Sequence, residues 1–460
     1  MILSRQHIDM TKGTPWKQIL LFAVPLILSN IFQEMYSVVD SAVVSRYVGV
    51  NALAAIGDTT WARSCFRRIC MDCSASFGIV AASAVGSGNQ YKFRKVVTTG
   101  FKFGVILSVL TVCIVVPLLP DILTALKIPA NIYENAYQYM LIMILAYPLS
   151  VTYNMCCAYL RATGESRTTF YAVIASTITN IVLDLFFVRV LLLGVAGAAI
   201  ATIIAQAVSA MIVFFSVFRR EPFKTNKDDW INDTEIIKET SKLWVPMFCN
   251  SVGISAGGVI AQSAINATGS IVSGGIDVGV RIYCLLEAAE KAVASGIGVF
   301  VSQNMGSEKY TRIKKGVASM NWFIIASCVV MGLYFVFASE PLIMFFMGYT
   351  QSPEELSVAV DSAKIYLRVQ AFGACLMVPM HFYREAVQAM RHAIYPTIGA
   401  ILQSIARAVT VAFLPMYLGL VGLCLPDTAA AIVTLPLVII PYHIFMKRLI
   451  QIEKHRKSLW

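Results

Sequence analysis

The chain has 460 residues, of which 57% are hydrophobic and only 14% charged, and its mean hydropathy is +0.70. This composition excludes an ordinary soluble domain and places most of the chain in lipid. The formal net charge of +11 could indicate a nucleic-acid partner. Lysine and arginine gather in alternate loops, however, which is typical of a multi-pass membrane protein and argues against nucleic-acid binding.

Apolar runs of about 20 residues, the length that crosses a bilayer, recur along the chain without the period-two alternation of a barrel. We therefore predict an all-α integral membrane fold with about twelve transmembrane helices, called spans 1 to 12 below. In chain order the predicted spans cover residues 16–44, 59–83, 97–119, 133–160, 168–191, 195–218, 237–266, 276–303, 317–339, 356–388, 394–416 and 420–446.

The loops that carry the basic clusters predict the orientation of the spans. With an even number of spans, the positive-inside rule places both termini in the cytoplasm. We predict a plasma (inner) membrane protein that acts as a monomer, with membrane lipids and a small-molecule substrate as its partners.

The spans form two related halves. The basic loops GSGNQYKFRKVV from Gly86 and GSEKYTRIKKGV from Gly306 are similar and lie 220 residues apart. Six spans in each half predict parallel repeats with a cavity between two lobes. The predicted parts are an N-terminal lobe over 1–222, a cytoplasmic linker over 223–236, a C-terminal lobe over 237–446 and a basic cytoplasmic tail over 447–460.

Ionisable residues inside spans are costly, about 2.5 to 3.5 kcal/mol each, so those present indicate function. Asp40 lies in span 1, and Asn180 and Asp184 lie four residues apart on one face of span 5. Two carboxylates and a carboxamide in an apolar bundle can bind a cation such as Na⁺ or hold a proton. The alternative is a structural role, in which they cap or pair with neighbouring polar groups.

A second charged group interrupts spans 2 and 8. The 220-residue offset sets Arg67 against Glu287, and repeat-related helices often face each other across the pseudo-twofold axis. We predict that these opposite charges meet at the interface between the lobes, and the alternative is a partly interfacial segment with solvated charges. The further members of this predicted interface are Arg63, Arg68, Glu290 and Lys291.

Motifs of soluble-type enzymes are absent from the sequence. It contains no GxxxxGK[ST] phosphate loop, no HExxH zinc motif and no dinucleotide-binding glycine fingerprint, and its five histidines are scattered. An ATP-driven pump or an enzyme is therefore disfavoured. We expect no cofactor and no bound metal other than a coupling Na⁺.

The sequence resembles the multidrug and toxic compound extrusion (MATE) family of secondary transporters over essentially its whole length. The resemblance is carried by WKQILLFAVPLILSNIFQEMYSVVDSAVVSRYVGVNALAAIG, NIVLDLFFV, LGVAGAAIAT, VSQNMGSEKYTRIKKG and YREAVQAM. It implies N and C lobes arranged as a V around a central cavity, and export of organic cations in exchange for Na⁺ or H⁺. It implies that Asp40, Asn180, Asp184 and Thr202 bind the cation. It also implies that the substrate cavity is lined by Gln33, Tyr36, Asn266 and Glu287.

The chain departs from the family pattern in its charges. Arg63, Arg67 and Arg68 interrupt a helix that is apolar in relatives, and arginines in a cavity disfavour cationic substrates unless glutamates neutralise them. The predicted function is an H⁺- or Na⁺-coupled antiporter that exports small organic compounds, including drugs, by alternating access. The alternatives are a flippase or exporter of anionic or lipid-linked substrates and a non-transporting membrane protein.

Overall fold

The structure is a computed structural model, and its regular elements are helical throughout the described residues. The described residues are 8–49, 52, 55–57, 59–126, 128–220, 223–231, 233–347 and 353–458. The chain divides into two compact units, Met1–Asp9 with Leu21–Trp244 (unit 1) and Met10–Leu20 with Val245–Trp460 (unit 2).

Seven long helices lie between the N-terminus and the segment that leads into the second half. They are α1 (Pro15–Tyr47), α2 (Thr60–Gly86), α3 (Gln90–Ala125), α4 (Tyr133–Leu145), α5 (Tyr147–Ala162), α6 (Arg167–Asp184) and α7 (Gly194–Phe218). A π-helical turn, Leu185–Val190, directly continues α6. A 3-10 turn, Lys227–Trp230, follows α7.

The second half of the chain repeats this organisation with more interruptions. Its helices are α8 (Thr234–Asn266), α9 (Ser270–Gly306), α10 (Tyr310–Ser319), α11 (Asn321–Leu333), α12 (Glu340–Met347), α13 (Pro353–Ala389), α14 (Ile394–Leu418), α15 (Leu420–Cys424) and α16 (Pro426–Ser458). A second π-helical turn, Tyr334–Ala338, continues α11.

Nine helices of the described chain are long and apolar enough to cross a membrane, and α4 with α5, which meet at 47°, form a tenth such span. Two further helices, α9 and α13, have 37 residues each but carry more charged residues. Together these helices coincide with all twelve predicted spans. The prediction of an all-helical, multi-pass membrane protein is therefore confirmed.

Each unit has its own apolar core, because the apolar faces of neighbouring helices pack together. In unit 1 one cluster gathers side chains of α1, α4, the π-helical turn and α7, including Val43, Tyr139, Val188 and Val195. In unit 2 the main cluster runs along α9 and α13 and includes Ile276 and Leu367. The first of these clusters borders the candidate site.

Candidate functional site

The candidate site of unit 1 is built around two aspartates and an asparagine. Asn180 and Asp184 lie one turn apart on α6, and both are fully buried at 0% exposure. Asp40 of α1 is half-buried and lies within electrostatic range of Asp184. The structure therefore brings together the three residues that were predicted to bind a cation.

Several polar atoms of this site lack a hydrogen-bond partner in the described chain. Five buried atoms have no hydrogen bond of normal geometry to a described residue. They are both carboxyl oxygens of Asp184, both amide atoms of Asn180 and Oδ1 of Asp40. Buried polar groups are normally paired, and each exception requires an explanation. Most of these atoms are oxygens, which can coordinate a cation such as Na⁺ or carry a proton.

The backbone of α6 changes form at the site. The α-helix ends at Asp184 and the next six residues, Leu185–Val190, form a π-helical turn. Such turns are rare and occur frequently at functional sites, because the wider ring disturbs the regular ladder. The turn places Val188 in the apolar cluster while Asp184 remains with the polar residues.

Two tyrosines lie beside the acidic residues. Tyr36, one turn before Asp40 on α1, lies with its hydroxyl 3.2 Å from Oγ1 of Thr202 on α7, and Thr202 is itself buried. Tyr139 of α4 belongs to the apolar cluster beside the site. Tyr36 and Thr202 therefore lie together, whereas Gln33 is exposed on α1.

Arg63 contributes a positive charge near the carboxylates. Its Nη1 donates a hydrogen bond of 2.9 Å to the hydroxyl of Tyr139, and its guanidinium lies 4.8 Å from the centre of that ring. Arg63 is also within electrostatic range of Asp40. Sequence reasoning missed Tyr139 and this role of Arg63, because a phenol in an apolar span carries no periodicity that distinguishes it from a core residue.

The other arginines of α2 extend the positive charge. Arg67 is exposed and Arg68 is half-buried. The charged residues that influence Arg67 are Arg68, Arg63 and, with opposite sign, Glu34. The predicted meeting of Arg67 with Glu287 involves both units and stays a prediction.

In unit 2 the predicted residues of α9 form a separate cluster, in which Glu287 and Glu290 are buried and Lys291 is exposed. Lys291 Nζ lies 2.7 Å from Glu287 Oε2, and His381 Nε2 of α13 lies 3.6 Å from Glu287 Oε1. Glu290 is 2% exposed and neither of its oxygens has a hydrogen-bond partner among the described residues. Sequence reasoning treated His381 as isolated, and only the fold brings it to Glu287.

Asn266 lies apart from this cluster, at the exposed end of α8. Gln262 donates to Asn266 Oδ1 at 3.0 Å and to Asp277 Oδ1 at 3.1 Å. Across the described residues no group of three or more His, Cys, Asp or Glu side chains could hold a metal ion.

The chain is all-helical and multi-pass, and its helical bundle contains buried carboxylates without hydrogen-bond partners among the described residues. These features are typical of membrane transporters. The family model MatE matches residues 25–186 and 246–413, which is more than two thirds of the chain. The chain belongs to the multidrug and toxic compound extrusion (MATE) family of transporters, as the sequence resemblance indicated.

Several curated relatives are similar over most of their length. The probable multidrug resistance protein YoeA of Bacillus subtilis (strain 168) is 27% identical over 352 residues, covering 73% of this chain and 74% of YoeA. The probable multidrug resistance protein NorM of Thermotoga maritima is 23% identical over 376 residues, covering 78% of this chain and 77% of NorM.

Solved structures show the same fold. A MATE crystal structure in complex with MaL6 matches with a TM-score of 0.87 and 18% identity, over 97% of this chain and all of that one. A MOP superfamily transporter from Pyrococcus furiosus, for which reverse polarity of the binding pocket suggests a different function, matches with a TM-score of 0.85 and 18% identity, over 97% of this chain and 98% of that one.

Proposed function

We propose that this MATE transporter exports small organic compounds, including drugs, by antiport, and that one H⁺ or one Na⁺ binds at Asp40, Asn180 and Asp184. The observation that supports this most is the pair of buried Asp184 oxygens without a hydrogen-bond partner in the described chain. A buried carboxylate without a partner is unfavourable. An ion or proton that occupies these oxygens would therefore bind with a gain in free energy.

The formal charges of the site support binding of a single ion. Asp40 and Asp184 carry two negative charges when ionised, and Arg63 offsets one of them from its position on Tyr139. One monovalent cation or one proton makes the site neutral. A second cation would leave an excess positive charge in a low-dielectric region, which is strongly disfavoured.

Ion binding is coupled to substrate transport if it changes the position of α1. Asp40 and Tyr36 lie on the same face of α1, and the Tyr36–Thr202 contact joins this face to α7 beside the site. We propose that the ion and the substrate bind in alternation as the transporter changes its access. When the exported compound is uncharged, one ion that crosses about 100 mV supplies roughly 2.3 kcal/mol, enough for a substrate concentration ratio of about 50.

The test of this function is transport by the full chain in proteoliposomes. A fluorescent organic cation is followed under an imposed pH gradient and, separately, under a Na⁺ gradient, for the wild type, for Asp184→Asn and for Asp121→Asn. Asp121 is an exposed aspartate of α3 and makes a matched control for loss of one carboxylate. We expect gradient-driven movement in the wild type and in Asp121→Asn, and at least a roughly tenfold lower rate in Asp184→Asn, because the ion loses a charged ligand.

The gradient that drives movement identifies the coupling ion. Undiminished gradient-driven transport by Asp184→Asn would overturn the assignment of the site. We further propose that the transporter acts as a monomer in the plasma membrane, with cytoplasmic termini, and catalyses no chemical reaction.

A second candidate function is export of anionic or lipid-linked compounds. It is favoured by exposed Arg67, whose charged neighbours Arg63 and Arg68 outnumber the single acidic neighbour Glu34. Guanidinium groups bind phosphate and carboxylate groups in bidentate fashion. The same vesicles loaded with a fluorescent anion separate the two candidates, since Arg67→Gln should slow movement of the anion only if this second function is correct.

A further inference from the structure

The basic loop that repeats in the two halves is neutralised differently in each unit. The loops GSGNQYKFRKVV and GSEKYTRIKKGV align residue by residue with an offset of 220. The aligned basic pairs are Lys92 with Arg312, Arg94 with Lys314, and Lys95 with Lys315. Their surroundings can therefore be compared position by position.

In unit 1 the segment after α7 supplies the counterions. Arg94 Nε lies 3.0 Å from Oδ2 of Asp229, which is buried in the 3-10 turn. Lys92 Nζ lies 2.9 Å from Glu239 Oε2. Lys95 is buried, and its Nζ donates a hydrogen bond of 2.7 Å to the carbonyl oxygen of Asp228. Every basic residue of this loop therefore has a negative or polar partner.

In unit 2 an N-terminal segment bonds two of the four basic residues of the loop, Arg312 and Lys309, whose Nζ donates a hydrogen bond of 3.0 Å to the carbonyl oxygen of Thr11. Arg312 donates hydrogen bonds to the carbonyl oxygens of Met10 at 3.2 Å and Gly13 at 2.7 Å. Lys314 and Lys315 are exposed, and neither forms an ion pair with a described residue. Two lysines whose counterparts are neutralised in unit 1 thus remain without a counterion.

The carboxylates near this loop are already engaged. Glu453 of α16 is buried and accepts hydrogen bonds from the backbone nitrogen of Thr311 at 2.7 Å and from its hydroxyl at 2.9 Å. Glu308 pairs with Arg456. Neither glutamate is paired with Lys315, so a negative group from outside the chain would complete the arrangement.

A cleft of about 630 Å³ opens beside Lys315. Three of its lining residues are basic and one, Glu453, is acidic. Besides Glu453 and Thr311 the cleft is lined by Trp16, Lys309, Arg312, Lys315 and Ser319. The lining therefore carries an excess of positive charge, and basic side chains bind phosphate.

Aromatic residues at the cleft indicate the membrane–water interface. Trp16 and Trp322 form an edge-to-face pair with ring centres 6.0 Å apart, and tryptophans are enriched at that interface. The short helix α10 precedes Trp322, buries Ile313 and Val317 inside the protein and exposes Lys314 and Lys315. The cleft thus lies at the depth of lipid headgroups.

We propose that this cleft binds the phosphate headgroup of an anionic phospholipid. The phosphate pairs with Lys315, which lines the cleft, whereas its counterpart in unit 1, Lys95, donates a hydrogen bond to the carbonyl oxygen of Asp228. The acyl chains then run along the apolar surface that α11 exposes beyond Trp322, where Ile325 and Val329 are exposed. Basic pockets between helices at a membrane surface bind such headgroups.

The test is native mass spectrometry of the full-length protein titrated with phosphatidylglycerol or with zwitterionic phosphatidylcholine. We expect preferential binding of phosphatidylglycerol by the wild type. Since each basic residue near a surface contributes roughly a fivefold factor in affinity, Lys315→Gln should weaken phosphatidylglycerol binding about fivefold. Lys314→Gln removes the same charge one residue away but outside the cleft, and should change binding less than about twofold.

Three results would overturn the proposal. Equal binding of the two lipids would exclude a headgroup site, and equal losses in Lys314→Gln and Lys315→Gln would indicate diffuse surface attraction. Displacement of phosphatidylglycerol by inorganic phosphate at a similar concentration would assign the cleft to free phosphate. Because binding is measured directly, these results do not depend on whether the proposed antiport is correct.

Discussion

Two carboxylates share one nearby positive charge in unit 1. Arg63 donates to the hydroxyl of Tyr139 and its charge offsets that of Asp40, while both oxygens of Asp184 remain without a hydrogen bond of normal geometry to a described residue. A direct bidentate pair would fix both oxygens and leave no ligands for a mobile ion. Holding the arginine on a phenol therefore preserves the free oxygens of Asp184.

The acidic residues of this site could be predicted from the sequence, but their surroundings could not. Asp40 and Asp184 are conspicuous because charges inside apolar spans are costly. Tyr139 is 76 residues from Arg63 along the chain and has no feature that separates it from the core tyrosines. Its role depends on tertiary packing, which local sequence patterns do not encode.

At the same scale, His392 gives the stability of unit 2 a pH dependence. Its ring, in the turn between α13 and α14, stacks on Phe445 with 3.7 Å between ring centres and an interplanar angle of 9°. Burial lowers the pKa of His392 below its ordinary value. The unfolded chain therefore takes up the proton first, and stability falls as the pH drops from the unfolded pKa towards the lowered folded one.

We predict that the melting temperature of the wild type decreases more between about pH 8 and about pH 5 than that of His392→Phe, which keeps the stacking but cannot be protonated. Thermal unfolding of both proteins across this pH range checks the prediction. The exposed His455, changed to Gln, serves as the control and should retain the wild-type slope. Parallel slopes for the wild type and His392→Phe would show that protonation of His392 does not matter.

At the scale of elements, the twelve spans could be predicted because continuous apolar runs determine them. The breaks within them were not predicted. The bend of 47° between α4 and α5 and the π-helical turn after Asp184 interrupt spans that read as single helices. The bend has a cause in the sequence, because Pro148 is the second residue of α5 and has no N–H to continue the hydrogen-bond ladder.

The contact between α9 and α13 depends on a glycine. A Cβ atom at Gly275 would lie 2.2 Å from the carbonyl oxygen of Ala359, which belongs to the backbone of α13 and cannot move aside. At the adjacent Gly274 a Cβ atom meets nothing within 4 Å among the described atoms. Two neighbouring positions of one helix thus differ sharply in the space they offer.

We predict that Gly275→Ala separates the two helices and destabilises the purified protein by about 1–3 kcal/mol, the usual cost of overpacking. Gly274→Ala should leave stability unchanged or raise it slightly, by up to about 1 kcal/mol, because alanine favours the helix. Fluorescence-detected thermal unfolding of the two variants provides the comparison. Identical melting temperatures would mean that the helices can adjust at Gly275 without loss.

At the scale of the whole molecule, two units with related sequences carry different polar sites. Unit 1 holds the pair Asp40 and Asp184, whereas in unit 2 Glu287 is paired with Lys291 and the oxygens of Glu290 have no hydrogen-bond partner among the described residues. The repeat itself was visible in the sequence. The difference between the two basic loops was not, because it depends on the tertiary contacts that the segments around Asp229 and Met10 make with them.

The central claim is that one ion at Asp40 and Asp184 alternates with the exported substrate. Equilibrium binding of a fluorescent organic cation to the purified full-length protein, measured against pH and against Na⁺ concentration, tests it most directly. We predict that substrate affinity falls about tenfold for each tenfold rise in one of the two ions, as competition by a single ion requires, and that Asp184→Asn abolishes this dependence. Affinity that is independent of both ions in the wild type, or an unchanged dependence in Asp184→Asn, would contradict the account.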